Sequence, residues 1–330
     1  MKAVVAVPTA AFIIIRAHRR KSLTPLGLVS AGATATIHAL HPSPIPFLLL
    51  LTFFLLGTSA TKVKHEIKAT LTLSSSGSSG GEGPRTAIQV FANSAAASAM
   101  VLLHLWADGL DLDGTKGCFG SRAGAGTRLA DLYLMGIMAN YAAVTADTLS
   151  SELGILSKTR PVLITTLKTV PPGTNGGVSF AGLVAGVGGA AVIAAICCLL
   201  LDVCGGVVGG STTAVLLKVF ALLTVLGSVG TLLDSFLGAM LQASVIDRRS
   251  GKIVEGAGGV KVLTKPTRRP SQSVPDSPGK QSRSTDEKAK ADLHESRVIN
   301  SGNDILDNNQ INLLMACIVS GLGVFAGTLL

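Results

Sequence analysis

Aromatic residues make up only 4% of this 330-residue chain, charged residues 14%, and there is a single Trp. A soluble domain carries charge on about a quarter of its residues, so the shortage argues against a surface that faces water on all sides. The five cysteines (Cys118, Cys197, Cys198, Cys204 and Cys317) contain no CxxC pair and mostly sit in apolar segments, so neither a zinc site nor a disulfide framework is expected. No Walker sequence and no GxGxxG occurs, which removes the common soluble nucleotide-binding folds. What is present is apolar. Hydrophobic residues reach 48%, the mean hydropathy is +0.52, and the apolar residues fall in long blocks. The expected fold is therefore an all-α, polytopic membrane bundle. The 38 glycines, in runs such as GLVAGVGGAAVIAA, read as small faces that let helices approach closely.

About 20 apolar residues cross a bilayer. The candidate spans are residues 2–15, 23–40, 43–60, 86–107, 130–146, 178–201, 213–246 and 310–329, giving about eight transmembrane helices with seven to nine possible. The first is short, and its basic residues (RAHRRK) follow the apolar stretch, the reverse of a signal peptide. In the seventh, GSVG is a place where the helix could break into a span and a half-helix. Most of the 28 Lys and Arg fall in alternate loops, around Arg16 to Lys21, Lys62 to Arg85, Lys158 to Lys168 and Arg248 to Arg297. Only Lys2, Lys116, Arg122 and Arg128 lie on the opposite side. By the positive-inside rule the rich loops are cytosolic. The net charge of +9 then reflects topology and anionic lipid headgroups, not nucleic acid.

The organisation expected is an N-terminal membrane segment and basic loop (1–22), a membrane core (23–263), a Pro, Ser, Lys and Arg-rich insertion without stable structure (264–297) and a final motif with its helix (298–330). SSSGSSGGEGPR, Ser74 to Arg85, reads as a flexible joint. On the opposite side Asp108, Asp111 and Asp113 alternate in DGLDLDGTKGCFGSR, but the glycine and glutamate of a calcium loop are missing, and an ordinary solvated loop is expected.

Polar residues gather at the cytosolic ends of four segments. RTAIQVFAN puts Arg85, Gln89 and Asn93 on one helix face. ADTLSSELG adds Asp147, Ser150, Ser151 and Glu152, and LLDSFLGAMLQ adds Asp234, the deepest carboxylate. NDILDNNQINLL brings Asn308, Asn309 and Asn312. An acid in a span costs roughly 2.5 to 3.5 kcal/mol even on insertion scales, so such residues face protein or water rather than lipid. The loop SKTRPVLITTLKTVPPGTNGGVS supplies Lys158, Lys168 and the turn Gly173, Thr174, Asn175, Gly176, Gly177 before the sixth span, a place for an anion at a helix start. Asp147 and Asp234 are the expected Mg2+ ligands, with Glu152 in support and Lys168 among the catalytic residues.

These motifs, in the order KHEIKATLT, RTAIQVFAN, ADTLSSELGILSKTRPVLITTLKTVPPGTNGGVS, LLDSFLGAMLQ and NNQINLL, strongly resemble the transmembrane protein 19 family, also called domain of unknown function 92. That family includes the plant phytyl-phosphate kinase. The order Asp147, Lys168-Thr169, Gly173 to Gly177 is also loosely similar to CTP-dependent dolichol kinases and CDP-lipid synthases. The resemblance implies an Mg2+-dependent transfer of a phosphoryl group from CTP or another nucleoside triphosphate to a prenyl monophosphate. Arg85, Gln89 and Asn93 would meet the lipid phosphate, in the endoplasmic reticulum or another endomembrane rather than the plastid envelope. The rival readings are a multi-pass transporter of an ion or small solute, which also needs intramembrane acids, and a packing scaffold whose polar residues only join helices.

Overall fold

A computed structural model describes residues 3–81, 83–107, 109, 118–120, 125–204, 211–262, 264 and 296–330. The helices are α1 (Ala3–Arg19), α2 (Pro25–Leu40), α3 (Ile45–Lys62), α4 (His65–Leu71), α5 (Ala87–Ala107), α6 (Ala125–Gly154), α7 (Phe180–Leu200), α8 (Thr212–Leu241) and α9 (Asn308–Gly327). Six of them (α3, α5, α6, α7, α8 and α9) are long and apolar enough to cross a membrane, and α2 is a shorter apolar helix. The chain is an integral, multi-pass membrane protein built as a helical bundle, and the expected number of about eight crossings is an approximate one.

Local chemistry sets the helix starts. Thr24 accepts the Gly27 amide ahead of Pro25, Ser179 accepts the Gly182 amide, and Asp307 and Gln310 form a reciprocal capping box at α9. Thr86 and Gln89 do the same at α5: the Gln89 amide donates to Thr86 Oγ1 (3.3 Å) and the Thr86 amide to Gln89 Oε1 (2.8 Å). The middle of the bundle is α6, whose Met135 to Ala146 stretch is buried and which packs on α3, α5, α7, α8 and α9. Small residues permit this. A Cβ on Gly227 would lie 2.6 Å from Ala190 Cβ, and one on Gly230 would lie 2.6 Å from Ala143 Cβ. GSVG is therefore a contact face inside an unbroken 30-residue helix, not the break considered from sequence.

Two small sheets close one end of the bundle. One has the order β1-β5-β4-β6, from β1 (Leu73–Ser74), β4 (Ser244–Asp247), β5 (Ile253–Glu255) and β6 (Arg297–Ser301). β1 and β5 run parallel and the other pairs antiparallel. The second pairs β2 (Val162–Leu163) with β3 (Gly177–Val178). Residues 242–246, expected as the tail of the seventh span, leave the helix at Leu241 and enter β4. Both sheets lie at the basic-loop end, where α3, α6 and α8 finish and α5, α7 and α9 begin.

Three further expectations change. Cys118 and Cys204, 86 positions apart, form a disulfide at the opposite end. The backbone brings them together, with Phe119 N donating to Asp202 O and Cys204 N to Phe119 O. The Ser74 to Arg85 joint is tied down rather than loose: the hydroxyls of Ser74, Ser76 and Ser78 bond one another, and Arg85 N donates to Ser22 O. Arg297, expected within the insertion, is buried at the start of β6 and donates to Ser75 O at 2.6 Å. Residues 265–295 and the Asp108, Asp111 and Asp113 positions lie outside the described residues.

Candidate active site at the basic-loop end

α6 continues through ADTLSSELG to Gly154, which carries Asp147, Ser150, Ser151 and Glu152 out of the buried core and onto the wall of a cavity of about 610 Å³. Asp234 reaches the same cavity from α8. Thr231 stands three residues before it, on the same helical face, and donates to Asp147 Oδ1 at 3.4 Å. From α9, the Asn312 amide, assigned the orientation in which its nitrogen meets acceptors, donates to Asp234 Oδ1 and to Asn308 O, both at 3.1 Å. Three helices thus bring two carboxylates and their partners to one cavity. Among the described residues no cluster of three or more His, Cys, Asp or Glu could hold a metal. Two carboxylates are nonetheless the usual protein share of a Mg2+ shell, the rest being phosphate oxygens and water.

Glu152, one turn further along α6, is differently placed. Its carboxylate takes Lys68 Nζ at 2.5 Å and Thr61 Oγ1 at 2.8 Å. Lys68 also donates to Ala60 O (2.8 Å) and Thr61 O (3.3 Å), so its three N-H groups are all engaged. Lys68 is buried, Glu152 is partly so, and the pair joins α3, α4 and α6. Glu152 is a clamp, and its expected support of a metal does not follow from this geometry. Lys68 was visible in KHEIKATLT only as one basic residue among many.

Two glycine-rich loops roof the cavity. In the first, Gly173 and Gly176 have φ of +82° and +74°, and a Cβ on Gly176 would lie 2.4 Å from Ala239 Cβ. The loop is pressed against the end of α8, just beyond Asp234. Several of its donors are spent internally: Thr174 N on Pro171 O, Gly177 N on Thr174 O, Asn175 N on Ser244 Oγ, and Asn175 Nδ2 on Ala243 O. Thr174 and Asn175 therefore secure the loop. The second loop, Gly256 to Val260, went unnoticed in the sequence because its signal is only EGAGGV. Gly258 O accepts Asn309 Nδ2 at 2.9 Å, and Lys261 donates to the carbonyls of Asp304 and Ile305. Glu255 lines the cavity beside it. Burial pushes its carboxyl above the usual range, and the Glu152 charge adds to this, while the Gly81 amide opposes it.

Of the residues expected from sequence, Gln89, Asp147, Ser150, Ser151, Glu152, Gly173, Thr174, Asn175, Gly176, Gly177, Asp234 and Asn308 line the cavity. Lys158 and Lys168 do not. Both are exposed, and Lys168 sits in a tight turn where its carbonyl accepts the Leu163 amide after Leu167 adopts φ of +57°. Arg85 points elsewhere: its guanidinium lies 6.0 Å from the Phe53 ring centre, in room left by Gly57. Asn93 donates to Gln89 O within its own helix and, through its carbonyl, accepts Asn140 Nδ2. Asn309 ties the second loop, and Asn312 acts through Asp234. Sequence reasoning also missed a deeper buried pair, Tyr141 and His38, whose Oη and Nε2 are 2.7 Å apart.

Protein PGR of Arabidopsis thaliana is 33% identical over 254 residues, covering 77% of this chain and 83% of that protein. Protein VTE6, chloroplastic, of the same plant is 29% identical over 165 residues, covering 50% of this chain and 44% of that protein. An uncharacterized membrane protein of Methanocaldococcus jannaschii is 53% identical over 57 residues, 17% of this chain and 24% of that one. No solved structure matches the chain. The family described as integral membrane protein DUF92 matches residues 8–320, from α1 into α9, and the chain belongs to that family.

Proposed function

We propose that the cavity transfers a phosphoryl group from CTP or another nucleoside triphosphate to a prenyl monophosphate held at the membrane surface, with Mg2+ between the two anions. The observation that carries the reading is the facing of Asp147 and Asp234, from two different helices, into one cavity roofed by two glycine-rich loops. Six acids line it (Asp147, Glu152, Asp234, Glu255, Asp304 and Asp307) against Lys68 and Lys261, and Lys68 is already locked. A polyphosphate would be repelled there without a cation. Bound Mg2+ would neutralise phosphate charge and align the reacting oxygens. Asp147 and Asp234 would hold it, Thr231 and Asn312 orient the carboxylates, and the glycines admit phosphate close to the backbone. The family resemblance, which takes in the plant phytyl-phosphate kinase, supplies the substrate class. The far-side disulfide suits an oxidising compartment behind the membrane and the cavity on the cytosolic side, as in an endomembrane.

The acid excess favours one other reading, a cation pathway. Full-length protein in lipid nanodiscs, given labelled CTP or ATP, Mg2+ and prenyl monophosphates, separates the two. Labelled prenyl diphosphate that disappears in Asp147→Asn and Asp234→Asn is the expected product. Absence of transfer with every donor, together with cation flux through proteoliposomes, would replace this reading by the pathway.

A further inference from the structure

A second, apolar cavity of about 90 Å³ lies between α1, α2, α3 and α5, and nothing in the transfer site accounts for it. Ile14, Ala35, Leu51 and Phe54 are among its walls. Its polar atoms are either satisfied or gathered at one end. Thr34 and Ser94 face each other at 3.4 Å, and Asn93 is bonded to its own helix. At the basic-loop end stand Arg85 and Gln89. Gln89 lines both cavities, so the two adjoin at that residue. Arg85 is half-buried, and among the described residues its guanidinium makes no ion pair. A cation in this position, at the head of an apolar hole and beside a transfer site, is complementary to a lipid that carries a phosphate.

Resting on the phosphoryl-transfer reading, we infer that this cavity holds the phosphate-proximal isoprene unit of the acceptor, with Arg85 on its monophosphate, so that α1 and α2 are part of the substrate site. The volume decides how much of the chain enters. An apolar cavity of about 150 Å³ accepts a benzene ring, so this one, at about 90 Å³, takes no more than one branched unit and leaves the remaining chain to the bilayer. On α2 the wall runs from Ala31 to Ala35, roughly 6 Å at 1.5 Å per residue, and on α5 from Gln89 at the basic-loop end to Ser94, which directs the chain inward from that end. The acceptor oxygen is then presented to the larger cavity past Gln89.

The test uses full-length protein in nanodiscs and a prenyl monophosphate with a photoreactive diazirine on its first isoprene unit, without nucleotide or Mg2+. Labelling is expected on α1, α2, α3 and α5 at the walls named above. Unlabelled prenyl monophosphate should displace it at least tenfold better than the corresponding prenol. Arg85→Gln should lower labelling about tenfold, and Ala35→Phe, which fills the cavity, should abolish it. Retained nucleotide binding and an intact Cys118–Cys204 disulfide would show that Ala35→Phe folds. Labels on other helices, or equal displacement by prenol, would overturn the inference even if phosphoryl transfer occurs. The expected labels without transfer under any condition would instead defeat the kinase reading and leave a prenyl-phosphate binding site.

Discussion

Asp147 and Glu152 lie five residues apart on one helix, at the rim of one cavity, yet they have opposite surroundings. Glu152 is held by a buried lysine and a threonine that use its oxygens to join three helices. Among the described residues Asp147 accepts one long hydrogen bond, from Thr231, and shares its cavity with a second carboxylate, Asp234. A carboxylate that is fully partnered stabilises the fold. One left facing another acid is a liability that a cation would relieve. Composition cannot separate the two, and the motif ADTLSSELG presents them as equals. What separates them is the partner each meets in space.

The largest effect expected is on chemistry. Asp147→Asn and Asp234→Asn should each lower phosphoryl transfer by about a thousandfold or more, on the order of 4 kcal/mol of barrier at 1.36 kcal/mol per tenfold. Thermal unfolding should change little, since amides keep shape and lose only the charge. Next comes the clamp. Glu152→Gln leaves Lys68 buried without its counter-charge and should cost about 3 to 5 kcal/mol. Replacing both by apolar residues of similar size (Lys68→Met with Glu152→Leu) should recover most of it. A midpoint shift in detergent unfolding measures each step. Recovery of stability without loss of transfer would mark the pair as structural, and a double variant that folds but cannot react would move Glu152 into the chemistry.

Glycine substitutions sharpen the comparison at a smaller scale. Gly176→Ala adds a left-handed backbone penalty of about 1 to 2 kcal/mol to an overlap with Ala239 and Ser235, and should impair both folding and transfer. Gly251→Ala in the β4–β5 turn has φ of +69° but open space, so it should lose only the backbone penalty and keep full activity. The smallest effect belongs to residues 265–295. Replacing them by a short Gly/Ser linker between Thr264 and Ser296 should leave transfer within about twofold, because loop-closure entropy grows only slowly with length. Removal of Arg297 as well should not be neutral, since it is buried against Ser75.

The bundle and the meeting of polar segments at one end were readable because long apolar blocks and sorted basic residues are strong signals. The small sheet was not, as strands of two to five residues carry too little alternation to stand out. The Cys118–Cys204 bridge was hidden by a separation of 86 residues. Lys168 lies close to the glycine turn in sequence, whereas the left-handed residue before it, Leu167, belongs to a tight turn that leaves Lys168 exposed. Lys68 is the converse case, in sequence one more charge in a basic loop and in the fold buried against Glu152. Arg85 does not share the face of Gln89 and Asn93, because α5 begins only at Ala87 and Arg85 pairs with Leu23 ahead of it, where it lines a different cavity. Helical periodicity shows which side a residue takes, and not which neighbour waits there.

The most direct measurement replaces Mg2+ by Mn2+ in the full-length protein and records its magnetic coupling to the phosphorus of bound nucleotide. Coupling is expected in the unaltered protein and in the folded Lys68→Met, Glu152→Leu double variant, with loss in both Asp147→Asn and Asp234→Asn. Coupling that survives in the two Asn variants, or vanishes only when Glu152 is replaced, would contradict the metal assignment.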